Sequence, residues 1–88
     1  MQGIDGVRRF VLERLRRRAQ TIGFALGDPS DDMNLMESGL FDSLGFVELI
    51  AAIEEEFELE VDFADVDPET FTTVGGVVDS AVRSAKAA

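Results

Sequence analysis

The sequence predicts an all-α fold, a small four-helix bundle with three longer helices, one short helix and a long ordered loop between the first and second. Three segments repeat apolar residues every three or four positions, as one face of a helix does. Alternation of the strand type is confined to one run of five residues, and a lone strand would have no partner. With 88 residues and no cysteine, we expect one domain over residues 1–88, without disulfides.

The first helix is predicted over residues 4–19. Its apolar side chains form one stripe at helical spacing: Ile4, Val7, Phe10, Val11 and Leu15. Six arginines fill the other face: Arg8, Arg9, Arg14, Arg16, Arg17 and Arg18. We expect these arginines to balance the acidic body or to form part of a partner surface, because the rest of the chain would repel a polyanion.

Residues 20–42 show no period and are predicted to form the long loop. Turn residues punctuate it, among them Asp28-Pro29-Ser30. Scattered apolar residues should pin the loop over the helices: Ile22, Phe24, Leu26, Leu35, Met36, Leu40 and Phe41. A loop of this length inside a compact domain is often functional.

The second helix is predicted over residues 43–57. Five residues form the stripe that should face the core: Phe46, Leu49, Ile50, Ile53 and Phe57. The other side mixes apolar and acidic residues: Leu44, Val47, Glu48, Ala51, Glu54 and Glu55. An exposed strip of this composition fits a protein partner with basic and apolar features.

After the second helix, Leu59, Val61 and Phe63 alternate with acidic residues, and we expect an extended connection that turns these three inward. A short helix is predicted over residues 67–70, with Asp67 as its cap and Pro68 at the first helical position.

The last helix is predicted over residues 73–84, capped by Thr72 or Thr73. Its apolar stripe consists of Val74, Val77, Val78, Ala81 and Val82. Gly75 and Gly76 are expected to weaken it by roughly 1 kcal/mol each relative to alanine.

Composition excludes several functions. Fifteen acidic side chains and no lysine or arginine lie between Asp28 and Glu69, and the net charge is −10. Such a surface repels nucleic acid and anionic membranes and attracts basic protein surfaces. The chain lacks histidine and cysteine, so we expect neither a catalytic site nor a metal site. No apolar run indicates a leader or a membrane span, and a cytoplasmic protein is the expectation.

The tripeptide Asp42-Ser43-Leu44 opens the second helix and is the strongest candidate site. A helix N-terminus offers free N–H groups and a partial positive charge, so a phosphate esterified to Ser43 would lie in a favourable field. Serine is also an ordinary helix cap, and the tripeptide alone leaves both roles open.

The wider context resembles the acyl carrier proteins from about Val7 to Val82. The matching runs are Gly-Leu-Phe-Asp-Ser-Leu, Val47-Glu48-Leu49, Glu54-Glu55-Glu56-Phe57 and Phe71-Thr72-Thr73-Val74. The resemblance implies that Ser43 receives 4′-phosphopantetheine from coenzyme A through a phosphopantetheinyl transferase. The arm would hold an acyl or aminoacyl group as a thioester, loaded by an activating ligase and passed to acyl-transferring or acyl-modifying enzymes. The carrier itself would not be an enzyme.

The resemblance also implies roles for other residues. Partner contacts fall on Asp42, Leu44, Val47, Glu48, Ala51, Glu54 and Glu55, with Phe63 to Glu69 as a second contact region. The acyl pocket falls on Phe46, Ile50 and Phe57. Gly45, Phe46 and Ala51 depart from the usual fatty-acid pattern, and Gly45 should loosen the helix start. The bulk of Phe46 favours a dedicated carrier for a short group in a specialised pathway.

Two alternatives to a carrier make different demands on the sequence. A calcium-binding loop needs glycine at its sixth position and glutamate at its twelfth. Counting from Asp28 gives Met33 and Gly39, and counting from Asp31 fails as well, so the pattern does not fit. An unmodified acidic adaptor would use the same second-helix surface, with Ser43 as a helix cap.

A monomer is expected, since no heptad seam is sustained.

Overall fold

The computed structural model describes residues 4–62 and 67–87, and these residues form four helices. The helices are α1 (Ile4–Ile22), α2 (Ser43–Phe57), α3 (Pro68–Phe71) and α4 (Val74–Ala87). Within the described ranges there is no β-strand, and one isolated bridge joins Asn34 to Thr73. The predicted all-α bundle with three longer helices and one short one is confirmed.

One apolar core holds α1, α2 and α4 together, and α3 packs on α4. The predicted stripes supply it, with these buried residues: Val7, Val11, Leu15, Phe46, Leu49, Ile50, Ile53, Val74, Val77, Val78 and Ala81. Phe10, Phe57 and Val82 are half-buried at its edge, and the Ile4 side chain lies outside the described part of the chain. Each fully buried leucine, isoleucine or valine contributes about 1.5–3 kcal/mol relative to an exposed one.

Helix α1 runs three residues further than the predicted end at residue 19. It stops at Ile22 because Gly23 takes a left-handed conformation, with φ of 71°. The Phe24 N–H then donates to the Ala19 carbonyl at 2.8 Å, which closes the helix end. Gln20 and Thr21 are exposed, so they carry no periodic signal that would have extended the prediction.

The long loop is anchored to the junction of α3 and α4. The Leu35 N–H donates to the Thr72 carbonyl at 2.8 Å, and the Val74 N–H donates to the Met33 carbonyl at 3.0 Å. Between these bonds, Asn34 Nδ2 donates to Thr72 Oγ1 at 2.9 Å. The ordered loop is confirmed, and its position is determined by backbone pairing as much as by apolar contact.

Most apolar loop residues pack as predicted. Leu35, Leu40 and Phe41 are buried, while Phe24, Leu26 and Met36 are half-buried against the core. Ile22 is the exception: it belongs to α1 and is exposed, so its predicted pinning role is wrong.

Helix α4 extends three residues beyond the predicted end at residue 84 and is capped by Thr73, whose Oγ1 accepts from the Gly76 N–H at 3.0 Å. The expected weakening at Gly76 is wrong for this site. A Cβ there would lie 1.7 Å from the Thr70 carbonyl oxygen, so glycine is required where α4 passes the end of α3.

Candidate functional site

Ser43 is the first residue of α2 and is exposed. The residue before it, Asp42, has extended backbone, and its Oδ1 accepts from the Gly45 N–H at 2.7 Å. Asp42 is therefore the N-cap, and the capping role that the adaptor alternative gave to Ser43 is wrong. The two residues lie next to each other and both favour caps, so the sequence alone did not separate their roles.

Three polar groups at the start of α2 have no hydrogen-bond partner among the described residues. No residue in the described ranges hydrogen-bonds to the Ser43 hydroxyl. The backbone N–H groups of Ser43 and Leu44 likewise meet no acceptor among the described residues, as expected for the first turn of a helix. A phosphate esterified to this exposed hydroxyl would lie beside two free N–H donors, and it would displace no hydrogen bond to a described residue.

The segment before the site is held by Arg18, a residue to which sequence reasoning gave no role at the site. Its Nε donates to the Leu40 carbonyl at 2.9 Å, and its guanidinium lies 5.5 Å from the centre of the Phe41 ring. The Phe41 N–H donates to the Leu35 carbonyl at 2.9 Å. No period links α1 to this loop, so the sequence carried no signal for the contact.

Gly45 allows the cap to close. A Cβ at this position would lie 3.0 Å from Asp42 Oδ1 and 3.2 Å from Phe41 Cδ1, tighter than ordinary contacts. The glycine admits the capping carboxylate and the Phe41 ring, and the expectation that it loosens the helix start stays a prediction.

The outer strip of α2 is defined by Leu44, Val47, Glu48, Ala51 and Glu55, all of which are exposed. Leu44 keeps 68% of its surface and Val47 keeps 56%, which is unusual for large apolar residues. The strip starts next to Ser43 and runs along the helix. It brings together most of the residues predicted to contact partners.

Glu54 is placed differently from the rest of that predicted set. It is half-buried, and its Oε2 accepts from the Val61 N–H at 2.9 Å. The bond holds the connection after α2, in which Leu59 and Val61 are buried as predicted. Phe63, the third residue of that prediction, lies outside the described residues.

The second predicted contact region begins outside the described residues, which resume at Asp67. There the Asp67 side chain accepts from the Glu69 N–H at 3.0 Å and caps α3, with Pro68 at the first helical position, as predicted. Asp67 and Glu69 are both exposed.

The residues assigned to an acyl pocket contact different helices. Phe46 and Ile50 are buried, and the Phe46 ring meets the Phe71 ring of α3 edge to face at 5.4 Å. Phe57 is half-buried and makes an edge-to-face contact with Phe10 of α1 at 5.5 Å. Phe46 thus fills space between α2 and α3, whereas Phe57 packs between α2 and α1.

The part of the chain that the structure describes shows neither a cluster of metal ligands nor a membrane-spanning helix. No three histidine, cysteine, aspartate or glutamate side chains there come together as metal ligands do. None of the described helices has the length and apolar character needed to cross a bilayer.

Comparison with known proteins gives one family. The family described as phosphopantetheine attachment site matches residues 13–80, which is most of the chain. No solved structure gives a significant match.

Curated relatives include two kinds of carrier. The acyl carrier protein of Clostridium perfringens is 47% identical over 55 residues, covering 57% of this chain and 70% of that protein. The D-alanyl carrier protein of Streptococcus uberis is 41% identical over 54 residues, covering 59% and 68%. The D-alanyl carrier protein of Bacillus subtilis is 38% identical over 48 residues, covering 54% and 62%.

Proposed function

The chain belongs to the phosphopantetheine attachment-site family, and we propose that it carries a short acyl or aminoacyl group on an arm attached to Ser43. As a member of that family it is a carrier protein rather than an enzyme, and its cofactor is covalent 4′-phosphopantetheine, as the resemblance implied. Attachment at Ser43, the size of the cargo and a specialised pathway are the parts that we propose.

The free hydroxyl of Ser43 is the observation that carries the proposal. It is exposed, no described residue bonds to it, and Asp42 has already taken the capping role beside it. Modification would therefore disrupt no hydrogen bond of the Ser43 hydroxyl to a described residue. The free N–H groups of Ser43 and Leu44 lie at the positive end of the helix dipole, where a phosphate is stabilised.

The residues around Ser43 would position the arm and its partners. When bound, the cofactor supplies a terminal thiol that holds the carried group as a thioester. The arm is attached through Ser43 Oγ at the first residue of α2, where the Asp42 side chain caps the helix. The outer strip then presents apolar and acidic side chains to the transferase, the activating ligase and the acyl-transferring or acyl-modifying enzymes. Docking there raises the effective concentration of the carried group at each partner's active site.

The packing around Phe46 supports a short cargo. Its ring is 6% exposed and is held against Phe71, so the space between α2 and α3 is occupied by aromatic side chains. A long chain would have to displace one of these rings from a close-packed interior. The D-alanyl carriers among the relatives are consistent with a small aminoacyl group.

Attachment is tested by intact mass after incubation with coenzyme A and a broad-specificity phosphopantetheinyl transferase. We expect one phosphopantetheine increment on the wild-type protein and on Ser30→Ala, a control at another exposed serine, and none on Ser43→Ala. Absence of the increment from well-folded wild-type protein would overturn the proposal. An increment that persists in Ser43→Ala would move the site to another residue.

Cargo size is tested by comparing urea unfolding of the holo form with forms bearing acetyl and long-chain acyl groups. We expect all three to unfold at the same urea concentration, because Phe46 and Phe71 occupy the interior. A long-chain form that is clearly more stable than the holo form would contradict a short cargo.

A further inference from the structure

Arg18 differs from Arg8 and Arg17, two other arginines of α1, in what it contacts. Arg8 and Arg17 each form an ion pair with a carboxylate. No carboxylate oxygen in the described ranges lies within 4 Å of an Arg18 nitrogen. The Arg18 side chain is instead half-buried, and its Nε donates to the Leu40 carbonyl at 2.9 Å. Its contacts are therefore with the loop that leads to α2.

The contacts of Arg18 continue into the first turn of α2. Its guanidinium lies 5.5 Å from the centre of the Phe41 ring, and its Nη2 would lie 3.6 Å from a Cβ placed on Gly45. The Phe41 ring packs against the same point, at 3.2 Å. Gly45 is also the residue whose N–H donates to the capping Asp42 at 2.7 Å. Arg18 thus contacts the surroundings of the cap, and Ser43 is the residue after that cap.

Arg18 joins residues 40–42, which we call the entry segment, to a helix of the bundle. The other backbone hydrogen bonds of the entry segment before the cap stay within the loop: the Phe41 N–H donates to the Leu35 carbonyl at 2.9 Å, and the Leu40 N–H to Ser38 Oγ at 3.4 Å. The Leu40 and Phe41 side chains are buried, but apolar burial has no preferred direction. The bond from Arg18 therefore fixes the direction of the entry segment relative to α1.

We propose that Arg18 is a positioning residue for the modification of Ser43: it holds the entry segment so that the hydroxyl meets the phosphopantetheinyl transferase in the geometry that transfer requires. This inference rests on the proposed function, because it concerns the same hydroxyl. In the transfer, Ser43 Oγ bonds to the phosphorus on the pantetheine side of coenzyme A. The bond from that phosphorus to the bridging oxygen breaks, the nucleotide half leaves with that oxygen, and the hydroxyl proton passes to a base of the transferase.

Loss of Arg18 should affect the transfer step rather than docking. Without its donor, the Leu40 carbonyl no longer fixes the direction of the entry segment, whereas Ile50 and Ile53 keep the body of α2 in the core. The outer strip, on which the transferase is proposed to dock, keeps all of its residues. A displacement of a reacting group by about 1 Å can slow a reaction by up to about a hundredfold.

The test measures single-turnover modification of the full-length protein by intact mass, with saturating coenzyme A and a broad-specificity phosphopantetheinyl transferase in excess. In Arg18→Gln we expect the maximal rate to fall roughly tenfold. The transferase concentration that gives half of that rate should stay unchanged. Arg16→Gln is the matched control, because it removes the same charge from an exposed position on α1 that has no ion pair in the described ranges. It should retain both values.

A conservative variant separates the hydrogen bond from the charge. Arg18→Lys keeps the positive charge and a donor, but an ammonium group cannot reproduce the planar fork that contacts both the carbonyl and the ring. Its maximal rate should lie between those of the wild-type protein and Arg18→Gln. Circular dichroism first establishes that each variant is folded. If Arg18→Gln does not fold, Arg18→Lys decides, and a maximal rate equal to that of the wild-type protein would overturn the inference.

Amide hydrogen exchange measures the entry segment without the transferase. In Arg18→Gln we expect the Phe41 and Gly45 N–H groups to exchange roughly fivefold faster, as the net loss of one hydrogen bond gives. The Val61 N–H, which donates to Glu54 Oε2 after the other end of α2, is the internal control and should keep its rate. Equal acceleration at all three would mean general destabilisation and would overturn the inference.

Three kinetic outcomes would also overturn it: an unchanged maximal rate in Arg18→Gln, an equal fall in Arg16→Gln, or a rise in the half-saturating transferase concentration. The last would mean that the transferase contacts Arg18 itself. The wild-type protein and Ser43→Ala are measured in the same series. If the wild-type protein gains the increment at Ser43 while these tests fail, only this inference fails. If the wild-type protein gains no increment, the proposed function fails and this inference fails with it.

Discussion

The two faces of α2 differ in what they contact, although they alternate along the same fifteen residues. The inner face buries Phe46, Leu49, Ile50 and Ile53, whereas the outer strip leaves Leu44 and Val47 in water. Burial in the core explains why the inner face is apolar. It does not explain why the exposed residues Leu44 and Val47 are apolar. Large apolar residues that the core does not use are therefore the clearest sign in this helix of a surface that contacts other proteins.

The largest difference in stability is expected when one apolar residue on each face of α2 is replaced by alanine. Ile53→Ala should lower the free energy of unfolding by about 2–5 kcal/mol, because Ile53 is completely buried. Val47→Ala should change it by no more than about 0.5 kcal/mol, because Val47 is 56% exposed. Urea unfolding followed by circular dichroism measures both.

Ile53→Val serves as a milder variant, because a domain this small has little stability to lose. It should cost about 0.5–1.5 kcal/mol. A cost for Val47→Ala as large as that for Ile53→Ala would show that the outer strip takes part in folding, and the distinction between the faces would be lost.

Gly76 supports the inner face indirectly, since it lies against the α3 segment that carries Phe71, the ring partner of Phe46. We expect Gly76→Ala to destabilise the protein by about 1–3 kcal/mol, because its Cβ would collide with the Thr70 carbonyl. Thermal unfolding measures the change. Glycine to alanine in an unobstructed helix stabilises by up to about 1 kcal/mol, so a gain in stability would show that α3 moves aside freely.

These cases mark how far the sequence could predict the structure. The period of apolar residues locates the helices because burial depends on one face at a time, and α2 runs over residues 43–57 as predicted. The close approach of Gly76 to Thr70 depends on how α3 sits against α4, and no local pattern in the chain records it. The anchoring of Leu40 by Arg18 is likewise a contact between distant segments.

The candidate site shows the same limit. The sequence indicated the start of α2, because Asp42 and Ser43 precede a clear apolar stripe. It did not separate the cap from the free hydroxyl, since that distinction depends on the backbone angles of one residue. Asp42 has extended backbone and bonds to Gly45, while the Ser43 hydroxyl in the first turn has no bond among the described residues.

The different roles of Asp42 and Ser43 predict a smaller difference in stability. Asp42→Ala should lower stability by about 1 kcal/mol, because the Gly45 N–H loses its acceptor. Ser43→Ala should change stability by less than about 0.5 kcal/mol, since its hydroxyl has no bond among the described residues. Chemical denaturation of the unmodified forms measures both. Equal losses would mean that Ser43 shares the capping role.

The smallest effect is expected far from both faces of α2, at the exposed pair formed by Arg8 and Asp31. Arg8 donates through both terminal nitrogens to Asp31, with Nη2 3.3 Å from Oδ2. That hydrogen bond holds the pKa of the Asp31 carboxyl below its ordinary value of 3.8. A carboxyl whose pKa is lower in the folded state stabilises the fold above its unfolded pKa, and loses that contribution as the pH falls through its folded pKa.

The wild-type protein should therefore melt slightly higher than Asp31→Asn at neutral pH, and the difference should close as the pH falls below 3.8, the ordinary pKa of Asp31. It should also shrink as salt is added, because both side chains are partly exposed to solvent. Asp32→Asn is the matched control, since Asp32 is an exposed neighbour with no ion pair in the described ranges. A difference that survives at acid pH would contradict a contribution from the charge of Asp31.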